Sequence, residues 1–326
     1  MSAQTSQILL RIENLTVEYA TLEGTAKAVQ SISLDIKKGE TLALVGESGS
    51  GKSTLGLAAM GLLPPAAKKP TGRIFFGEIE VTSLSEGRLR PLRGSKIAMI
   101  FQDPMTSLNP VKKIGDHFTE YIRAHNPQTN KEDALKLTES VLKELGIRTD
   151  RLNDYPHQFS GGMRQRVMIG LALVLNPELI IADEPTTALD VIVEAQIIEQ
   201  LKELREKYSL SILLITHNMG IVAQMADRVA VMYAGRIAEV GPVTEIFSNP
   251  RHPYTQALLK SIPTVEGGRR VLKVIPGFPP DLRNLPSGCA FHPRCPFAFD
   301  RCKAEDPRLQ PVSADGLAAC HLLDRK

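Results

Sequence analysis

The 326-residue sequence has no long apolar run, no large net charge and no cysteine before position 289. Each absence excludes something. The longest apolar stretch, Val167 to Leu175, falls far short of the roughly 18 residues that a membrane-spanning helix needs. The chain is therefore expected to meet a membrane only through a partner. Its first residues, Met1-Ser2-Ala3-Gln4-Thr5-Ser6-Gln7, offer neither a basic start nor an apolar core, so no signal peptide and a cytosolic setting are expected. A net charge of +3 makes no electrostatic case for a nucleic-acid partner. With 43% hydrophobic and 23% charged residues, the composition is that of a globular chain able to bury a substantial core. The length suits one large domain or one domain with an appendage. The four cysteines, Cys289, Cys295, Cys302 and Cys320, all fall in the last forty residues. Such clustering in a cytosolic chain argues for metal or cluster ligation over disulfides.

The strongest feature that is present is residues 46–54, Gly46-Glu47-Ser48-Gly49-Ser50-Gly51-Lys52-Ser53-Thr54, which spell G-x-x-x-x-G-K-S. Glycines let a backbone fold into a concave loop whose N–H groups converge on one anion. A following helix adds the positive end of its dipole. Lys52 is placed to reach the terminal phosphates of a nucleoside triphosphate, and the Ser53 hydroxyl to hold Mg²⁺. The flanks agree: Thr41–Val45 reads as a buried strand and Thr54–Met60 as a helix.

Before this loop, residues 8–18 and 28–36 alternate apolar and polar, predicting an antiparallel sheet with 8–18 as an edge strand. Tyr19, at the end of the first stretch, is a candidate stacking platform for an adenine ring. After the loop, 72–79 and 97–101 read as strands, and 111–150 as helices that interrupt the α/β pattern. One helix face carries His117, Phe118, Tyr121 and Ile122; another carries Ala134, Leu135, Leu137, Val141, Leu142 and Leu145. Ser160-Gly161-Gly162 opens a further helix with an N-cap and free backbone, a start suited to an anion. Leu179–Ala182 is a continuous apolar strand ending in Asp183-Glu184. An acid at the carboxyl end of such a strand suits Mg²⁺, here Asp183; a second acid suits a general base, here Glu184. A helix over 192–206 and a strand over 211–216 follow, with His217 at the strand's tip as a candidate γ-phosphate contact. Residues 229–240 read as a hairpin turning at Ala234-Gly235. From about residue 262 the chain holds nine of its 22 prolines and reads as an irregular appendage tied by the cysteines.

Together these motifs resemble the ATPase subunits of ATP-binding-cassette (ABC) transporters along almost the whole chain. The resemblance implies an α/β P-loop cassette over 1–261, with an antiparallel β edge and a helical subdomain near 103–178, and a C-terminal extension over 262–326. It assigns Gly46–Thr54 and Tyr19 to ATP and Ser53, Gln102 and Asp183 to Mg²⁺. Glu184 becomes the catalytic base, His217 and Gln102 sensors of the γ-phosphate, and Asp190 part of the dimer-contact loop. Ser160, Gly161 and Gly162 become the signature that caps the ATP of a second subunit. Phe159 and Met163 depart from the usual leucine and glutamine of that signature. The stretches 100–110, 155–166, 182–191 and His252-Pro253-Tyr254-Thr255 look like the oligopeptide/dipeptide/nickel importer subfamily, D-type subunit.

That resemblance implies a different, F-type ATPase partner, two transmembrane permease subunits and an extracytoplasmic solute-binding protein. It places the chain peripherally at the cytoplasmic face of a bacterial inner membrane. Peptides are the expected cargo; nickel chelates, glutathione and other solutes remain alternatives. A soluble ABC ATPase of translation or DNA repair is disfavoured, because neither a second cassette nor a long coiled coil is present. Glu184 argues against a non-catalytic ATP-binding module. In relatives the four cysteines can hold a [4Fe–4S] cluster. Their spacing here, C-x₅-C-x₆-C-x₁₇-C, is neither the tight ferredoxin run nor a C-x₂-C zinc ribbon, which leaves a cluster, zinc or free thiols open.

Overall fold

Five consecutive buried residues, Thr41 to Val45, form the strand that leads into the phosphate loop. Buried on both faces, such a strand belongs to a covered parallel sheet. The computed structural model describes residues 7–187, 189–261 and 275–325 (for Met105, the backbone only). The chain divides into two units, Ile8–Ile36, Glu40–Thr82 and Ile215–Lys326 in one, Lys37–Gly39 and Ser83–Leu214 with the N-terminal residues in the other.

In the unit that carries the phosphate loop, Thr41–Val45 pairs in parallel with Arg228–Tyr233, Leu42 facing Arg228 and Val45 facing Val231. Arg236–Pro242 returns antiparallel to it through the turn at Ala234 (φ 46°) and Gly235 (φ 82°), the hairpin that the sequence predicts. Leu317–Ala318 then pairs with Arg236–Pro242, and Gln310–Pro311 with Leu317–Ala318. So the cysteine-bearing tail is not merely irregular: it extends the sheet. A second sheet in this unit runs Gly24–Lys37, Ile8–Thr21, Thr71–Phe76, Ile79–Glu80. Two expectations change here. Ile8–Thr21 lies inside this sheet and Gly24–Lys37 is at its edge. The strand expected over 72–79 breaks at Gly77 (φ 54°), where the left-handed backbone makes a tight turn.

The other unit joins a parallel pair to a helical core. Ile97–Ile100 and Leu179–Asp183 pair in parallel, Ile97 opposite Leu179 and Ile100 opposite Ala182, and Ser211–Thr216 flanks the latter strand. Helices Ile114–His125, Lys131–Glu144 and Gly161–Leu173 bury Phe118, Ile122, Ala134, Leu142 and Val167 against one another. Of the residues expected on these apolar faces, Leu137 instead is 47% exposed, as it points away from this cluster. The helix Val191–Tyr208 starts at Asp190, whose carboxylate accepts the N–H groups of Ile192 and Val193, and stops at Ser209 in the left-handed conformation (φ 51°). Among the described residues, no helix is long and apolar enough to cross a membrane.

Candidate functional site

The phosphate loop is shaped by close backbone approach. Gly46, Gly49 and Gly51 adopt φ values of 155°, 76° and 103°. A Cβ on Gly46 would stand 2.1 Å from the Met232 carbonyl oxygen, and one on Gly51 2.0 Å from that of Ala28. Both positions therefore admit only glycine. The helix Lys52–Ala59 follows directly. Lys52 is buried, and its Nζ donates to the carbonyls of Gly46 and Glu47 at 2.9 Å each, so the cation lies along the inner rim of the loop. Ser50 is 4% exposed and its hydroxyl oxygen has no hydrogen-bond partner among the described residues. A buried hydroxyl left unsatisfied beside a folded-back lysine fits an incoming phosphate oxygen. Tyr19 joins the same site: its hydroxyl lies 3.3 Å from the Thr54 side chain, at the loop's end.

Glu47 is the residue whose importance the motif alone does not reveal. Its N–H donates to the Tyr254 hydroxyl at 2.9 Å. Its carboxylate takes a two-pronged ion pair from Arg294, Nη1 to Oε2 at 2.7 Å and Nη2 to Oε1 at 3.0 Å. Arg294 donates further to the Tyr233 hydroxyl (3.1 Å) and the Pro276 carbonyl (2.9 Å). The Glu47 carboxylate holds the guanidinium charge well above its ordinary pKa. Burial pushes the Tyr254 phenol up in the same direction. The His-Pro-Tyr-Thr stretch was a legible signal for Tyr254; nothing local to Arg294 announces its destination. His217 follows the strand Ser211–Thr216 and is exposed, while Asn218 caps the next helix, accepting the N–H of Gly220 at 2.9 Å.

The other unit gathers the acids. Asp183 ends its strand at 6% exposure, and Glu184 follows at φ 47°. Left-handed backbone costs a non-glycine residue on the order of 1–3 kcal/mol and concentrates at functional positions. Gln102 Nε2 donates to Glu184 Oε2 at 3.1 Å, and the Thr187 hydroxyl donates to the same oxygen at 2.8 Å. The two sequence-predicted residues Gln102 and Glu184 are thus brought together, and Thr187, which sequence reasoning missed, joins them. Ser160 caps Gly161–Leu173 by accepting the Met163 N–H at 3.3 Å, and within that first turn the buried Arg164 Nε has no hydrogen-bond partner among the described residues. Gly161 and Gly162 form the helix's first residues, Gly162 with a Cβ position only 2.5 Å from Val193.

Among the described residues the four cysteines form no disulfide, and they share the unit that carries residues 46–54. The Cys289 N–H donates to the Cys302 carbonyl at 2.9 Å. Burial pushes the Cys320 thiol up to about 11, and charge on Cys289, Cys295 or Cys302 would push it the same way, so the four sulfurs feel one another. Among the described residues, no group of three or more His, Cys, Asp or Glu side chains is arranged to hold a single metal ion.

The family described as ABC transporter matches residues 29–187, and the oligopeptide/dipeptide transporter C-terminal region matches 238–302. The chain is 48% identical to the dipeptide transport ATP-binding protein DppD of Bacillus subtilis (strain 168) over 98% of this chain and 96% of that protein. It is 49% identical to the oligopeptide transport ATP-binding protein OppD of the same organism, over 94% and 86%. Among solved structures it resembles the dimeric, post-hydrolysis ATP-binding cassette MJ0796 bound to ADP and Pi. The TM-score is 0.64 and the identity 29%, covering 72% of this chain and 98% of that one.

Proposed function

Because the chain belongs to the ABC transporter family and carries the C-terminal region of its oligopeptide/dipeptide transporters, we propose that it is the ATP-hydrolysing subunit that energises import of peptides or peptide-like solutes. The carrying observation is the Glu184 carboxylate, held by Gln102 and Thr187 directly after Asp183 in a chain with a complete phosphate loop. ATP is the substrate and Mg²⁺ the cofactor. Gly46–Thr54 bind the phosphates, Lys52 neutralises the terminal ones, and Tyr19 receives the adenine. Ser53, Gln102 and Asp183 would hold Mg²⁺, which supplies charge neutralisation on the phosphate oxygens. Glu184 orients water and takes its proton; His217 and Gln102 contact the γ-phosphate. Ser160-Gly161-Gly162 and Asp190 face the ATP of a second, F-type subunit, so closure of the pair completes each site.

The pair works under two transmembrane permease subunits, served by an extracytoplasmic binding protein, at the cytoplasmic face of the membrane. The names of the similar proteins, dipeptide and oligopeptide transport, support peptides as cargo. By the resemblance to the importer subfamily, Cys289, Cys295, Cys302 and Cys320 would be the residues to hold a [4Fe–4S] cluster, with zinc and free thiols as the alternatives. Iron analysis and ultraviolet–visible spectra of anaerobically purified protein check that assignment.

The function is tested by Glu184→Gln in the purified transport complex. ATP binding should persist while hydrolysis falls roughly 100-fold or more, the share of a general base. An unchanged rate sinks the assignment.

A further inference from the structure

A carboxylate inside a polyanion-binding loop is electrostatically out of place, since it repels the phosphates that the loop exists to hold. Glu47 is such a carboxylate, the second residue of the loop and one-quarter exposed at its side chain. Every polar group it owns is nevertheless held by another residue. Its N–H goes to Tyr254, its carbonyl to Lys52, and its carboxylate to both prongs of Arg294. Arg294 itself is only 5% exposed at its side chain. It is braced by the Tyr233 hydroxyl and by the carbonyls of Pro276 and Ile275. The rings of Tyr233, Tyr254 and Phe291 cluster beside it in tilted and edge-on pairs, with centroids 4.6 Å (Tyr233–Tyr254), 5.2 Å (Tyr233–Phe291) and 5.4 Å (Tyr254–Phe291) apart. The guanidinium has no freedom to leave, and its planar fork matches the carboxylate as a lysine could not.

We propose that Arg294 is a positioning residue of the nucleotide site: by neutralising and fixing Glu47 it sets the charge and shape of the phosphate loop, so ATP affinity depends on the folded C-terminal extension. This rests on residues 46–54 being the nucleotide site. With Arg294 in place, Glu47 is cancelled and Lys52 and the loop N–H groups present a net positive cradle. Without it, one uncompensated negative charge stands in the loop. Arg294 also directly precedes Cys295 and follows Cys289 by five positions, so the guanidinium is delivered by the cysteine-bearing segment.

The proposal predicts suppression, which a merely structural role does not. In the full-length protein, Arg294→Met should raise the Kd for MgATP roughly tenfold, about 1.4 kcal/mol. Glu47→Gln added to Arg294→Met should recover most of that loss, because it removes the stranded charge. Binding is read with a fluorescent ATP analogue, and thermal melting without nucleotide checks the fold. A folded R294M with a Kd within twofold of the parent overturns the proposal, as does a double variant no tighter than R294M. The parent protein gives a second reading that needs no variant. Coupling is reciprocal, so MgATP should slow amide exchange across residues 289–296 as well as 46–54. Protection of the loop alone overturns the proposal. Lys52→Ala separates the two layers. If K52A binds MgATP like the parent, the site assignment fails; if K52A loses binding and R294M does not, only the role of Arg294 fails.

Discussion

Arg294 and Glu47, 247 positions apart, form a two-pronged ion pair with N···O distances of 2.7 and 3.0 Å. One comes from the proline-rich tail and the other from the phosphate loop. A chain segment that would otherwise be read as a removable extension therefore supplies a counter-charge to the loop, and the loop's own glycines explain why it needs support from outside. Glycine leaves the backbone free to adopt the cradle but does nothing to hold it there.

Gly51 is the position where that freedom is indispensable. It has φ 103°, and an added Cβ would stand 2.0 Å from the Ala28 carbonyl oxygen. Neither the backbone oxygen nor the strand carrying it can yield cheaply. Gly51→Ala should abolish measurable MgATP binding, read by equilibrium titration. Gly87, on a short helix with open space around its Cβ position, is the control: Gly87→Ala should bind as the parent does.

Thr187 should matter for rate more than for binding. Its hydroxyl donates to the same Glu184 oxygen that Gln102 contacts. Removing a hydrogen bond to a charged group costs about 1.5–3 kcal/mol where the group is shielded, and less at an exposed position such as this. Thr187→Val should lower kcat roughly tenfold through a misaimed carboxylate. KM for ATP should move less than about twofold, since ATP does not depend on Glu184 for binding. Steady-state ATPase kinetics distinguish this from a general loss of the site, in which KM rises with it.

His252 predicts an acid-side instability. It caps the helix Pro253–Lys260, its Nδ1 accepting the Tyr254 N–H at 3.0 Å, which demands a neutral ring. Burial pushes its pKa from 6.5 down to about 4. A histidine depressed in the folded state binds protons preferentially when unfolded. Its contribution is therefore complete above about pH 6.5 and is lost as pH falls from there towards 4. The full loss is on the order of 3 kcal/mol. His252→Asn keeps a capping side chain without the titration. Melting temperature plotted against pH should fall less steeply for this variant between pH 6.5 and 4; parallel curves would show that His252 plays no part.

Much of the fold was legible because local rules and tertiary packing agree. Leu179–Ala182 is an apolar run because the strand Leu179–Asp183 is covered on both faces, so the run announces the strand in the sequence. Ser160 reads as an N-cap and does cap its helix, while the cap at Asp190 emerges only in the structure. Errors arose where the pattern was short. Gly77 splits one predicted strand into two, because a single left-handed residue reverses the chain without disturbing the alternation on either side. The placement of Ile8–Thr21 inside its sheet depends on Thr71–Phe76 pairing with it from some sixty residues away, which no alternation can signal.

The site divides in the same way. The glycine-rich loop of residues 46–54, the acid pair Asp183-Glu184 and the Ser160 helix start are visible in the sequence, because each is a set of residues adjacent in the chain or one helical turn apart. Only the tertiary structure decided that Gln102 and Thr187 meet on one oxygen of Glu184. It alone decided that Tyr254 and Arg294 close on Glu47. The physical reason is that a hydrogen bond or ion pair requires a few ångströms in space and sets no limit along the chain. The sequence shows which residues carry charge; the sheets and the aromatic cluster beside Arg294 decide which charges meet.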